Sequence, residues 1–287
     1  MSIKRTGFTL IEIVLFLAIT GLLFVGIVAG TGNSIAQQRF TDSVQSFTEL
    51  LRSVYSEVSN PQSVGEGRSE TAIYGKLISF GQTTGLDGEK IDELDQRIFI
   101  YDVVGKVNHV GDDNTGKITE VLSNLGANVA IETTDDDGKK IMEPAGEIRS
   151  YTPRWGASIE KTDLDYFDSK KDLFVGSILI VRHPRSGTIN TLVSKDVIQI
   201  NSILASANID GDFRIAKGML LNPLDSGSFE TREVDFCIDP RGIEVVGNNR
   251  RDIRLVKNAR NASGVEIIDL DLNEIRAGEQ IGNRCRF

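Results

Sequence analysis

One acid stands alone in this sequence. Glu12 lies in a stretch, Phe8 to Gly30, that is otherwise apolar or small except for Thr9 and Thr20, and no further charge follows until Arg39. At the centre of a bilayer such a carboxylate costs roughly 2.5–3.5 kcal/mol on insertion scales, and less near an interface. It is retained either for a partner of opposite charge or because it reaches the headgroups, and position alone leaves both open. Just before it come Lys4, Arg5 and the small residue Gly7, a short basic leader.

Residues spaced for catalysis are sparse. Ser158 and Lys161 match Ser-x-x-Lys, but the usual companions are missing: Lys161-Thr162-Asp163 stands where Lys-Thr-Gly would be needed. His109 and His183 are the only imidazoles, far apart and without metal-ligand spacing around them. Neither a Gly-x-Ser-x-Gly elbow nor a phosphate-binding glycine loop occurs. The expectation is a protein without catalysis and without a cofactor. Calcium is the one cation to weigh, because Gly111-Asp112-Asp113-Asn114 and Asp135-Asp136-Asp137-Gly138 cluster oxygen ligands. Neither completes a twelve-residue loop, since Ser123 and Gly146 fall where its final Glu belongs, and polar hairpin tips explain both equally well.

The element that must carry Glu12 is a membrane helix. At ~1.5 Å per residue Phe8–Gly30 covers ~34 Å, enough for a hydrocarbon core of ~30 Å. An ordinary secretory signal has its small-residue cut site after the apolar run. Here Gly7 precedes the run, so cleavage there leaves the helix on the mature chain. Gly7-Phe8-Thr9-Leu10-Ile11-Glu12 resembles the class III leader of type IV pilin-like proteins, and the resemblance covers about the first 60 residues.

That resemblance implies a prepilin peptidase that cuts between Gly7 and Phe8 and methylates the new Phe8 amine. It makes Glu12 the assembly residue, paired with the Phe8 amine of a neighbouring subunit, where two buried opposite charges offset each other's desolvation. The implied partners are other pilin subunits in a helical filament, the peptidase, and an assembly platform in the cytoplasmic membrane. The subunit would be a single-pass protein of that membrane before assembly, and part of an extracellular pilus or envelope-spanning filament afterwards. One departure is the absence of proline in the membrane stretch, which carries Gly21, Gly26, Gly30 and Gly32 instead. Each interior glycine costs ~1 kcal/mol relative to alanine, so local unwinding in a filament would fall there.

Beyond the membrane stretch Phe40, Val44, Phe47, Leu51, Val54 and Val58 form an apolar stripe at spacings of three and four, with Asp42, Gln45, Glu49, Arg52 and Glu57 between them. This predicts that the helix continues and packs on its own sheet, until Asn60-Pro61 stops it. Strand patterns follow at Ala72–Phe80, Arg97–Val104, Asn128–Glu132, Leu173–Val181, Ile189–Ile200, Glu233–Ile238, Ile243–Val246, Ile253–Val256 and Val265–Leu270. No βαβ rhythm appears, so the sheet is read as antiparallel. The fold class is α+β: a long N-terminal helix, membrane-embedded in its first half, laid on an antiparallel meander, with an inserted region. The expected divisions are a leader at 1–7, the helix at 8–60 with its transmembrane part at 8–30, an inserted region at 61–150, and a C-terminal β-rich domain at 151–287.

Net charge is −9, which argues against a general nucleic-acid binder. Locally, Arg241, Arg250, Arg251, Arg254, Lys257 and Arg260 outnumber Glu244 and Asp252. Clustered cations suit phosphates, so DNA capture is one reading, though few aromatics are interleaved for stacking. A solvated strand face or a filament contact is the favoured one. The only cysteines are Cys237 and Cys285. Cys237 alternates with Val234, Phe236 and Ile238 and is read on the wet face. The pilin resemblance, in which a C-terminal disulfide loop is common, implies a Cys237–Cys285 bond across the polar tail; two unrelated thiols are the alternative. The function read from all this is a structural subunit, minor or unusually large, of a type IV pilus-like filament. A pseudopilin of a type II secretion system and a DNA-uptake minor pilin are the alternatives.

Overall fold

A capping box opens the first helix, α1 (Leu10–Ser59). Thr9 accepts a hydrogen bond from the backbone N–H of Glu12, whose carboxylate in turn accepts from Thr9. The helix closes at Asn60, the residue before proline that was expected to stop it. At 1.5 Å per residue it is ~75 Å long. The computed structural model describes residues 9–60, 71–85, 89–91, 97–106, 117–161, 175–240 and 251–268.

In chain order there follow β1 (Thr71–Ser79), β2 (Ile98–Lys106), α2 (Ile118–Asn124), β3 (Ala130–Thr134), β4 (Lys140–Pro144), β5 (Arg149–Tyr151), β6 (Ser158–Lys161), β7 (Ser177–Arg182) and β8 (Ile189–Ser194). The chain continues through α3 (Ile200–Asp210), α4 (Arg214–Gly218), α5 (Leu221–Asp225), β9 (Glu230–Thr231), β10 (Val234–Asp239), β11 (Arg251–Leu255), β12 (Asn258–Ala259) and β13 (Val265–Ile268). A seven-stranded sheet has the order β12-β8-β7-β1-β2-β5 with β9 on β8; β13-β11-β10-β6 form a second sheet, and β3-β4 a hairpin. The strand pairs are antiparallel. The α+β reading holds, with two sheets and a hairpin in place of a single meander.

The large sheet is covered on both faces, and side-chain alternation sorts its residues between them. Ile78, Ile98, Ile100, Ile178 and Ile180 face α1 and join Phe40, Val44, Phe47, Leu51, Val54 and Val58 in one core. Their neighbours Leu77, Phe99, Tyr101, Leu179 and Val181 face the other way, into a second core with Val121, Leu122, Leu204, Ala216 and Leu224 from α2–α5. That is why β2 is buried from Ile98 to Gly105, with Asp102 the one charge inside that run. The smaller sheet closes the first core with Val234, Phe236, Ile238, Ile253 and Leu255. Phe236 stands edge-on to Phe47 of α1, ring centroids 5.5 Å apart.

Several expectations need correction. Strands from both sides of 150/151 share the large sheet: the second half of β1 pairs with β7, Gly75 opposite Val181 and Ser79 opposite Ser177. The apolar run Ile189–Ile200 is a strand only to Ser194, and Ile200 already begins α3. Cys237 is not on a wet face. It is fully buried, Asp235 and Asp239 on the same face are buried too, and β10 is an inner strand with partners on both sides. Ile243–Val246 and Pro61 lie outside the described residues.

Candidate functional site: the exposed half of the N-terminal helix

Among the described residues, most of the exposed large apolar side chains lie in the first half of α1. Leu10–Ile27 has a mean hydropathy of 2.7 and none of it is buried against the rest of the chain. Leu10, Ile11, Phe16, Leu22, Phe24 and Ile27 are all exposed. A helix that is apolar all round belongs in lipid or inside a bundle of other helices. Gly21, Gly26 and Gly32 have nothing near them where a side chain would project, and the helix runs through them without a break.

Glu12 sits at the head of this surface, held by its own chain. The Thr9 backbone N–H and the Thr9 hydroxyl each donate to Glu12 Oε2 at 2.9 Å, and the Glu12 N–H donates to Thr9 Oγ1 at 3.4 Å. Thr9-x-x-Glu12 ahead of an apolar run is the sequence signature of a capping box, a signal the reading of Glu12 as an assembly residue passed over. The processing residues Gly7 and Phe8 lie outside the described residues.

The far end of α1 is fixed to the sheet by charge. Glu57 meets Lys76 of β1 at 2.9 Å and takes a two-pronged bond from Arg149 of β5, Nη1 to Oε1 at 2.8 Å and Nη2 to Oε2 at 3.1 Å. Lys76, almost buried, also pairs with Asp102 of β2. Partial burial works against charge on Glu57, but hydrogen bonds from Lys76 and Ser53 and the nearness of both cations outweigh it. Its carboxyl is held below the usual range. Two residues earlier, Tyr55 shares a 2.5 Å hydrogen bond with Thr191 of β8, and burial pushes its phenol up to about 12.

The other residues singled out from sequence are dispersed. Arg254 is committed inside the smaller sheet, its Nε 2.8 Å from Oδ1 of the buried Asp235. Arg251 lies three residues away on the same strand, hence on the opposite face, and has partners within the chain. Lys257 and Arg260 are exposed, and Arg250 lies outside the described residues. The basic stretch is therefore divided among different surroundings. Asp135 turns its carboxylate onto its own hairpin, accepting from the N–H groups of Asp137 at 3.1 Å and Lys139 at 2.8 Å. The Asp112 turn and His109 lie outside the described residues. Ser158 and Lys161 fall on strand β6, where residues three apart point to opposite faces.

His183 directly follows β7, and its Nδ1 accepts from the N–H groups of Arg185 and Ser186 at 3.3 Å each. A cavity of about 620 Å³ opens beside it, lined among others by Lys117, Asn190, Phe229, Glu230 and Lys257. Among the described residues no group of three or more His, Cys, Asp or Glu side chains converges. Cys237 is not a free thiol; Cys285 lies outside the described residues. What fold and surface define together is a coarse class, a long apolar-headed helix docked on antiparallel sheets, consistent with a pilin-like fold. No protein family, curated protein or solved structure matches the chain.

Proposed function

We propose that this chain is a structural subunit of pilin or pseudopilin type, held in the cytoplasmic membrane by the first half of α1 and later packed through that half into a filament. The observation that carries the reading is the division of α1: an uncovered apolar half headed by Thr9 and Glu12, and a second half locked onto its own sheet. Such a helix presents to lipid or to its copies the surface that its own domain leaves bare. In this reading a prepilin peptidase removes Met1–Gly7 and methylates Phe8, and the new amine pairs with Glu12 of a neighbouring subunit. A Cys237–Cys285 bond staples the C-terminal tail onto β10.

N-terminal peptide analysis and intact mass of protein purified from membranes test this. The reading expects a methylated Phe8 terminus. A Met1 terminus, or cleavage after the apolar run, contradicts it.

A further inference from the structure

The chain has a single tryptophan, Trp155. Among the described residues it is also the only one other than glycine with a positive φ, 60°. For a bulky side chain that backbone is an outlier, of a kind kept where the surroundings make use of it. Its ring is half exposed, at 52%, yet it is held in place: the guanidinium carbon of Arg39 lies 5.0 Å from the ring centroid. Arg154, next to it in the turn Arg154–Gly156, is exposed as well.

Where the contact sits decides what it meets. Arg39 is the first charged residue after Glu12, and Phe40 beside it is the first buried one among the described side chains of α1. The Trp155 turn therefore forms the rim of the globular part on the side from which the bare apolar half emerges. The Arg39 Cα is ~13 Å along the helix from Gly30, where the apolar stretch ends. The headgroup layer occupies ~5–8 Å of that distance. Side chains on a helix lean toward its N-terminus, here toward the membrane, and a long arginine carries its charge back along that direction.

We propose that Trp155, Arg39 and Arg154 form a lipid-surface contact, with the indole at headgroup level and the two guanidinium groups on lipid phosphates. An indole has an apolar body and a polar edge, the combination enriched at membrane–water interfaces. Guanidinium groups bind phosphate through paired, charge-assisted hydrogen bonds. Asp42, exposed one turn beyond Arg39 and farther from the membrane, is the carboxylate on α1 nearest to them in sequence. The contact fixes the height and tilt at which the globular part waits above the bilayer before assembly. It rests on the reading of α1 as a membrane helix.

Because Trp155 is the only tryptophan, its fluorescence reports this place alone. Full-length protein is put into phosphatidylcholine–phosphatidylglycerol vesicles that carry a nitroxide either on the headgroup or near the bilayer centre, and the same vesicles are extracted with alkaline carbonate. The proposal expects carbonate-resistant protein whose Trp155 emission is largely lost to the headgroup nitroxide and little changed by the deep one. The Arg39→Glu/Arg154→Glu variant, with an unchanged circular dichroism spectrum, should lose most of that quenching; if it fails to fold, the depth profile of the native protein decides. Carbonate-resistant protein that the headgroup nitroxide leaves bright overturns the contact and leaves the filament reading standing. Protein released by carbonate overturns both. Shielding of Trp155 from iodide in filaments, without quenching in vesicles, assigns the turn to a neighbouring subunit and also overturns the proposal.

Discussion

Glu12 has two separable uses, and substitution can tell them apart. Its carboxylate caps α1 through Thr9, and in the proposed filament its charge pairs with an amine on the next subunit. Glutamine keeps a side-chain oxygen at the third helical position, as capping boxes allow, and lacks the charge. Glu12→Gln should therefore insert in the membrane like the native chain and fail to assemble, as Glu12→Ala should. Removing the acid makes insertion easier, so the loss would not be one of membrane delivery. Normal filaments from Glu12→Gln alongside none from Glu12→Ala, scored by shearing and immunoblotting, would leave the acid a helix cap only. A second residue reports on helix docking. A Cβ on Gly264 would stand 2.7 Å from both a Tyr55 ring carbon and the Ala259 Cβ, so Gly264→Ala forces α1 and its neighbours apart. Overpacking of this kind costs about 1–3 kcal/mol; a denaturant midpoint indistinguishable from the native one would mean that Tyr55 is not seated as described.

At the scale of elements, α1 is held by its apolar stripe and by the Glu57 cluster. Glu57 has its folded pKa lowered, so its contribution to stability is complete above the ordinary glutamate value of ~4.3. It is lost as pH falls from there through the lower folded value. Glu57→Gln should therefore flatten the acid limb of the stability curve, measured by thermal melts from neutral pH downward. An unchanged acid limb would show that Lys76 and Arg149 do not depend on the carboxylate. The stripe, the stop at Asn60 and most strands were legible because period and turn chemistry agreed with the fold. The four later helices were not. No side-chain cap marks α2, α3, α4 or α5, and α4 and α5 span five residues each. Their helical state comes from packing on the far face of the large sheet, a tertiary cause that local pattern does not carry. Glycines with positive φ after α2, α3 and α5 (Gly126, Gly211 and Gly227) were the stop signals available. The same limit misplaced Cys237: alternation marks two faces of a strand but not whether both are buried, as they are in β10.

For the whole molecule, β1, β2 and β5 share a sheet with β7 and β8, so the part after α1 should unfold as one cooperative unit. Cys237 is buried at the centre of the smaller sheet, which places the proposed tail staple against the core. Closing so long a loop should stabilise the fold by ~4 kcal/mol in the chain-entropy model. Peptide mapping without reductant should recover Cys237 linked to Cys285, and reduction should lower the melting temperature; two alkylatable thiols in unreduced protein would contradict the staple. The account as a whole makes this chain a building block, with the bare half of α1 as its assembly surface. Immunogold labelling of filaments sheared from cells, with antibody raised to the region after α1, tests that most directly. The account predicts gold on the filaments, at regular spacing or at their tips, in cells where Gly7 is intact. Antigen confined to the membrane fraction, with filaments present and unlabelled, would contradict it.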